Sequence, residues 1–259
     1  MDTGAVAISG AVVMPATGSR HPLLAIPVEA VFFDLDYTLL EPSDLFEAPG
    51  YARTGARFGL ELDQARWPQA ERAAYEAIKR RRAQTGAVHD DGLLDVIAHA
   101  VIEGLGGGAT AAVDQTAAAI AAEWARAENF GLYDDVLPCL RTVRAAGLRI
   151  ALVSNALGHD LEEVVAAFAL EPFLDAVVSS SAVGLVKPAP EIFAAALDCV
   201  GAAAAATVMV GDSYDDDVVG ALAHGLGAAV LLDRAGRGRP RPAPTISTLA
   251  ELPALLGLG

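Results

Sequence analysis

Five short apolar runs, at 30–35, 149–154, 175–179, 207–211 and 228–232, constrain what this chain can fold into more than any other feature. Each is rich in Val, Ile, Leu or Phe and nearly continuous rather than alternating, as strands covered on both faces are. Helix-length segments lie between the later ones: 135–146 stopped by Gly147, 159–168, 188–200 stopped by Gly201, and 215–224 stopped by Gly225. A glycine at such a point supplies the left-handed residue that closes a helix. Strand alternating with helix implies an α/β fold with a parallel, doubly wound sheet. Alanine is abundant throughout, which raises helix propensity and blurs periodicity, so punctuation carries more information than apolar counting.

The interval 41–130 breaks the alternation. It offers helical segments at 43–58, 62–82, 91–105 and 114–129, separated by Gly59, Gly86 and Gly106-Gly107-Gly108, and no convincing strand. An inserted all-helical domain over 42–130 is expected, with the core formed by 28–41 and 131–259 and hinges near Glu41-Pro42 and Gly131. Residues 1–27 read as a loosely ordered extension rather than a secretory signal, because Asp2 is acidic and the first basic residue is Arg20. The Arg, Gly and Pro of 234–244 mark a surface loop before a last helix at 248–256.

With 18 Lys+Arg against 33 Asp+Glu, the net charge of −15 repels nucleic acid and anionic membranes, and counterion release has little to work with. No run reaches the roughly 18 apolar residues of a bilayer span, so a soluble protein is expected. Cys139 and Cys199 are too few for a disulfide framework or a cysteine zinc site and fall in helical segments, which suits buried thiols and a cytoplasmic location. An anionic small molecule stays admissible, because a site is governed by its nearest charges, including any bound cation.

The chemistry gathers at the strand ends. The first run closes Asp34-Leu35-Asp36-Tyr37-Thr38, which sets two carboxylates at the carboxyl edge of a parallel sheet, where open α/β proteins bind ligands. Taken alone, Asp36 or Thr38 could equally cap a turn. The fourth run leads into Gly211-Asp212-Ser213-Tyr214-Asp215-Asp216-Asp217, four carboxylates in six residues, a repulsive arrangement that a hard divalent cation relieves. Asp212 and Asp217 are assigned to the metal, whereas Asp215 and Asp216 suit an acidic helix start. The second run ends at Ser154-Asn155, able to hold a phosphate oxygen or simply to cap the next helix. Lys187, the only lysine apart from Lys79, stands just before Pro188, a compact point charge at the opening of a helix.

Asp-x-Asp-x-Thr, Ser-Asn, Lys-Pro and Gly-Asp-Ser-x-x-x-Asp, in this order and each at a strand end, resemble the haloacid dehalogenase (HAD)-like hydrolase superfamily over 28–256. The resemblance implies a Rossmann-like core, a helical cap inserted between the first and second motifs, and Mg²⁺-dependent hydrolysis of a small phosphorylated metabolite. It implies Asp34 as nucleophile, Asp36 as general acid and base, and Lys187 as the stabilising charge. Thr38, Ser154, the Asn155 amide and Lys187 would hold phosphate, and Asp34, Asp36, Asp212 and Asp217 the metal. Tyr37 departs from the pattern, since many members carry Gly, Asp or Asn there.

Within the superfamily, Asp36 separates phosphatases from the dehalogenases, which lack that second aspartate because carbon–halogen displacement needs no protonated alcohol. Thr38 argues against the sugar-phosphate mutases, which tend to carry Val there, and the only cap lysine that could serve a phosphonatase is Lys79. A binding protein on an inactivated HAD scaffold is the rival of another class. Tyr51, Arg53, Arg57, Trp67, Tyr75 and Lys79-Arg80-Arg81-Arg82 are the cap residues able to recognise a leaving group, or else a solvated basic helix and a cap core. His89, His99, His159 and His224 have no ligand spacing, and monomer or homodimer stays open.

Overall fold

The structure, a computed structural model, describes residues 6–7, 19–20, 26–236 and 241–258. Two compact units divide the chain, one from Met1–Glu41, Leu132–Asn155 and Phe168–Gly259, the other from Pro42–Gly131 and Ala156–Ala167.

The first unit is built on a seven-stranded sheet whose order is Val6–Ala7, Ala176–Ser179, Arg149–Ser154, Ala30–Phe33, Thr207–Gly211, Ala228–Leu232 and Thr245–Ile246. The last six run parallel, and Val6–Ala7 pairs antiparallel with Ala176 and Val177 at the edge. From Ala30–Phe33 the chain adds two strands on one side, then crosses back to add the rest on the other, which makes Ala30–Phe33 the switch point where a crevice opens at the carboxyl ends. The expected sheet is therefore present, with its four central strands buried along nearly their whole length and Ala176–Ser179 alternately buried and half-buried. Thr245–Ile246 is a further strand, only two residues long, that the Arg, Gly and Pro around it conceal.

Alternate residues of the strands feed two separate cores, because successive Cβ atoms point to opposite faces. On one face Phe32, Ala151, Val153, Val178 and Met209 pack with Ile192, Phe193 and Ala196 of the helix Pro190–Val200 and with Ala221 of Gly220–Ala223. Val31, Phe33, Ile150, Leu152, Val208 and Val210 take the opposite parity and are fully buried. The helices Val136–Ala145 and Leu252–Leu255 bury Val136, Cys139, Leu140, Val143, Leu252 and Leu255. At roughly 1.5–3 kcal/mol for each large apolar side chain taken fully out of water, these layers hold the strand ends rigidly.

The second unit is helical: Ala48–Arg57, Trp67–Thr85, Leu93–Gly104, Ala111–Trp124 and Leu161–Ala167. A Cβ at Gly104 would lie 2.4 Å from the Cα of Ala70, so the absence of a side chain there lets two helices approach closely. Leu161–Ala167 lies outside the 42–130 expected from the sequence. The segment leading into it joins the inserted helices through His159, which meets Trp124 and Phe130 at ring-centroid distances of 5.7 and 4.8 Å. Gly158 likewise sits where a Cβ would be 3.2 Å from Leu94. Of the 1–27 extension, only 6–7, 19–20 and 26–27 lie within the described residues, and Ser19–Arg20 pairs antiparallel with Pro27–Val28.

Candidate active site

The four motifs belong to the sheet unit: the first, second and fourth lie at or just beyond the carboxyl ends of three adjacent strands, and Lys187 follows the short helix Ser180–Val183 that comes after the neighbouring strand Ala176–Ser179. The register carries Ala30–Phe33 one residue further, where the Asp34 amide donates to the Val210 carbonyl at 2.9 Å. The chain then folds back on itself. The Leu35 carbonyl accepts from the amides of Thr38, Leu39 and Leu40, and Tyr37 adopts φ +60°. That left-handed conformation suits Gly, Asn or Asp, so the residue that departs from the family pattern carries the strain. Thr38 is fully buried, and its hydroxyl makes no hydrogen bond. Asp36 is half-buried beside it.

Lys187 is the hub of the site. Its ammonium is 1% exposed and uses three donors, to Asp34 Oδ1 at 2.6 Å, Asp217 Oδ1 at 2.7 Å and the Val153 carbonyl at 2.8 Å. Burial disfavours its charge, but Asp217 and Asp34 more than offset this and hold the ammonium above the usual lysine range. The backbone around Lys187 is clamped by Asn155, whose Oδ1 accepts from the Lys187 amide at 2.6 Å and whose Nδ2 donates to the Lys187 carbonyl at 3.2 Å. The Asn155 side chain thus braces the lysine segment, and only its backbone amide suits the phosphate role read from the sequence. Ser154 is buried at the end of its strand, one residue before.

The fourth motif begins at Gly211, whose lack of a side chain is essential because a Cβ would stand 2.2 Å from Asp217 Oδ2. Tyr214–Val219 then forms a π-helical turn, a widened geometry common at functional sites, which swings Asp217 back under the sheet edge. Asp217 Oδ2 accepts from the Ser213 amide at 3.0 Å, so both its oxygens are engaged. Asp216 stands in the first turn of this helix, as read from the sequence, but it is also buried and accepts from Asn155 Nδ2 at 3.3 Å. Asp215 remains exposed. Nothing in the local sequence distinguishes three consecutive aspartates; the π turn sorts them.

Oxygens of Asp34, Asp212 and Asp217 come within 4.8 Å of one another. Burial pushes the Asp34 carboxyl up to about 7 against the opposing pull of Lys187. Asp212 and Asp217 are pushed up for the same first reason, Asp212 further by the two neighbouring acids, although it keeps an exposed edge at the mouth of the cluster. When all three are ionised, three carboxylates against one ammonium leave two negative charges. An all-oxygen set with that excess fits a hard divalent cation.

Of the other sequence candidates, Tyr51 is buried with its ring 6.0 Å from Trp67, Arg53 pairs with Asp44, Arg81 with Asp90, and Lys79 lies over Tyr75. All belong to the helical unit. Cys139 is buried, its thiol pushed up to about 12 by that burial, and Cys199 is half-buried; both are free. Among the described residues no helix is long and apolar enough to cross a membrane.

These motifs, on this sheet, define a class. The family model described as haloacid dehalogenase-like hydrolase matches residues 28–225, and the chain belongs to that family. It is 30% identical to N-acylneuraminate-9-phosphatase of Mus musculus over 88% of this chain and 94% of that one. It is 26% identical to glyceraldehyde 3-phosphate phosphatase of Methanothermobacter thermautotrophicus, over 79% and 85% of the two chains. Among solved structures, a putative HAD-hydrolase from Bacillus subtilis bound to magnesium superposes with a TM-score of 0.68 at 18% identity, covering 88% of this chain and 98% of that one. The L-2-haloacid dehalogenase RSc1362 gives 0.65 at 22% identity, covering 89% and 99%, and both likenesses concern the fold alone.

Proposed function

We propose that this chain is a Mg²⁺-dependent phosphomonoester hydrolase acting on a small phosphorylated metabolite through an aspartyl-phosphate on Asp34. The observation that carries the reading is the Lys187 ammonium shared by Asp34 and Asp217, with Asp36 and the unpartnered Thr38 hydroxyl in the adjoining turn. Lys187 engages one oxygen of Asp34, fixing the carboxylate so that the other attacks phosphorus in line. Asp36 gives its proton to the departing alcohol oxygen, then takes one from the water that cleaves the acyl phosphate and restores Asp34. Thr38, Ser154, the Asn155 amide and Lys187 hold the phosphoryl oxygens as charge develops on them.

Asp34, the Asp36 carbonyl and Asp212 would hold Mg²⁺, with Asp217 held by Lys187 and the Ser213 amide in a supporting position. When bound, the cation neutralises the carboxylates and the phosphoryl charge, letting two anionic partners meet. The two phosphatase relatives act, by their names, on an acyl sugar acid phosphate and a triose phosphate, which supports a small phosphorylated substrate. The helical unit, Pro42–Gly131 with Ala156–Ala167, is read as the cap that selects the leaving group. Two free cysteines accord with a cytoplasmic location.

The test is Mg²⁺-dependent phosphate release from p-nitrophenyl phosphate and from a panel that includes N-acylneuraminate 9-phosphate and glyceraldehyde 3-phosphate. Turnover that chelation abolishes and Asp34→Asn eliminates supports the reading. Absence of metal-dependent turnover on every ester, or full activity in Asp34→Asn, refutes it and favours a binding protein on the same scaffold.

A further inference from the structure

Behind the Thr38 turn lies a polar network that the four motifs do not include. The Thr38 carbonyl accepts from Arg234 Nη2 at 2.8 Å. The same guanidinium forks onto Asp135, Nη1 to Oδ2 and Nη2 to Oδ1, both at 2.9 Å, and its carbon stands 3.7 Å from the centre of the Tyr133 ring. Asp135 is the N-cap residue of Val136–Ala145, yet its carboxylate does not cap that helix. It accepts instead from Thr248 Oγ1 at 2.5 Å and the Leu249 amide at 2.8 Å. Three segments distant in sequence thus converge, through Arg234, on one peptide carbonyl.

That carbonyl belongs to the turn that most needs holding. Tyr37, one residue before, occupies the left-handed region, while the Thr38 side chain is fully buried with its hydroxyl unbonded. Fixing the carbonyl fixes the peptide plane and with it the Thr38 Cα, the point from which the buried hydroxyl projects. We infer that Arg234 is a positioning residue for phosphoryl binding: forked on Asp135 and stacked on Tyr133, it holds the Thr38 carbonyl so that the Thr38 hydroxyl faces the phosphoryl group. Arg234 touches no substrate and acts through Thr38. The inference rests on the reading that Thr38 binds phosphate. A lysine at 234 keeps the charge but not the planar fork, so it cannot serve the carboxylate, the carbonyl and the ring together.

The experiment uses the full chain with Mg²⁺ and inorganic phosphate as probe, measuring phosphate dissociation by calorimetry and melting temperature in parallel. Thr38→Val should raise the phosphate dissociation constant on the order of tenfold or more, the loss of a hydrogen bond to a charged group. Arg234→Lys should raise it comparably, and the double variant should be no weaker than Thr38→Val alone, because both changes remove one contact. Thr248→Ala, which removes one partner of Asp135 but leaves the guanidinium fork in place, should weaken phosphate in the same direction and less than Arg234→Lys.

Arg234→Lys that melts earlier but binds phosphate as tightly as the parent overturns the inference and makes the network a structural tie. So does a double variant whose losses add. An unchanged affinity in Thr38→Val overturns instead the phosphate role of Thr38, a separate failure. Tyr133→Leu, which removes only the ring beneath the guanidinium, is expected to weaken phosphate in the same direction and carries the test should Arg234→Lys not fold.

Discussion

Replacing Gly211 by alanine adds one methyl group where the packing of the sheet edge meets the Asp217 carboxylate. Gly211 has no positive φ, so alanine suits its backbone, and such a change by itself would stabilise by about 0.4–1 kcal/mol through the unfolded chain. The added Cβ, however, would lie 2.2 Å from Asp217 Oδ2 and 2.3 Å from its Cγ, within a sheet edge that is fully buried. Asp217 must retreat by about 1 Å or more to reach van der Waals distance. It cannot do so and keep both the 2.7 Å contact with Lys187 and the 3.0 Å contact with the Ser213 amide. Overpacking of this kind costs about 1–3 kcal/mol, or roughly 2–12 °C in melting temperature for a chain of this size. A displacement near 1 Å beside Asp34, the proposed nucleophile, should cost on the order of 100-fold in kcat/KM. Thermal melts followed by circular dichroism and Mg²⁺-dependent p-nitrophenyl phosphate hydrolysis measure the two. In an Asp217→Ala background only the Cβ at 2.8 Å remains to clash, so most of the added stability loss should vanish. A Gly211→Ala protein that melts at or above the parent temperature with unchanged kcat/KM refutes the close-approach reasoning.

Lys187→Met leaves Asp34 and Asp217 buried without their cation, a loss of about 3–5 kcal/mol in the metal-free protein that Mg²⁺ should partly restore; a urea midpoint equal to the parent in chelator counts against the hub. Tyr37→Asn relieves the positive φ of a side chain that is 45% exposed, and should raise the urea midpoint by an amount equivalent to about 1 kcal/mol, whereas a lower midpoint would mean that the ring contributes packing. Burial alone would raise the Asp135 carboxyl, but the hydrogen bonds from Arg234, Thr248 and Leu249 hold it below the usual aspartate value. Its folded value lies under its unfolded one, so its contribution to stability is complete above the unfolded value of about 3.9 and disappears as pH falls through the folded one. Asp135→Asn should therefore lower the melting temperature at neutral pH and flatten its decline in acid, measured by melts from neutral to strongly acidic pH.

The sheet was legible because strands buried on both faces leave near-continuous apolar runs, and the Asp34, Ser154 and Asp212 motifs were legible because each follows such a run directly. Helix limits were blurred where alanine dominates: the segment expected at 114–129 is helical over Ala111–Trp124 and then changes to a short 3-10 turn. Asp216 and Asp217 look alike on paper, and only the π turn separates the brace from the partner of Lys187. Arg234, Asp135 and Thr248 were invisible as a group because a fork between residues 99 positions apart has no local pattern. The attachment of Ala156–Ala167 to the helical unit escaped for a similar reason, since it depends on one buried histidine among aromatics contributed from Trp124 and Phe130.

The chain carries two lysines, Lys79 exposed on its helix and Lys187 with 1% of its side chain accessible, the latter also held in its protonated form. An acylating reagent needs a free, neutral amine, so in the native protein it should modify Lys79 promptly and spare Lys187. Acylation of Lys187 then becomes a record of how often the sheet unit opens, and peptide mass spectrometry across a labelling time course turns this buried lysine into a clock for local unfolding.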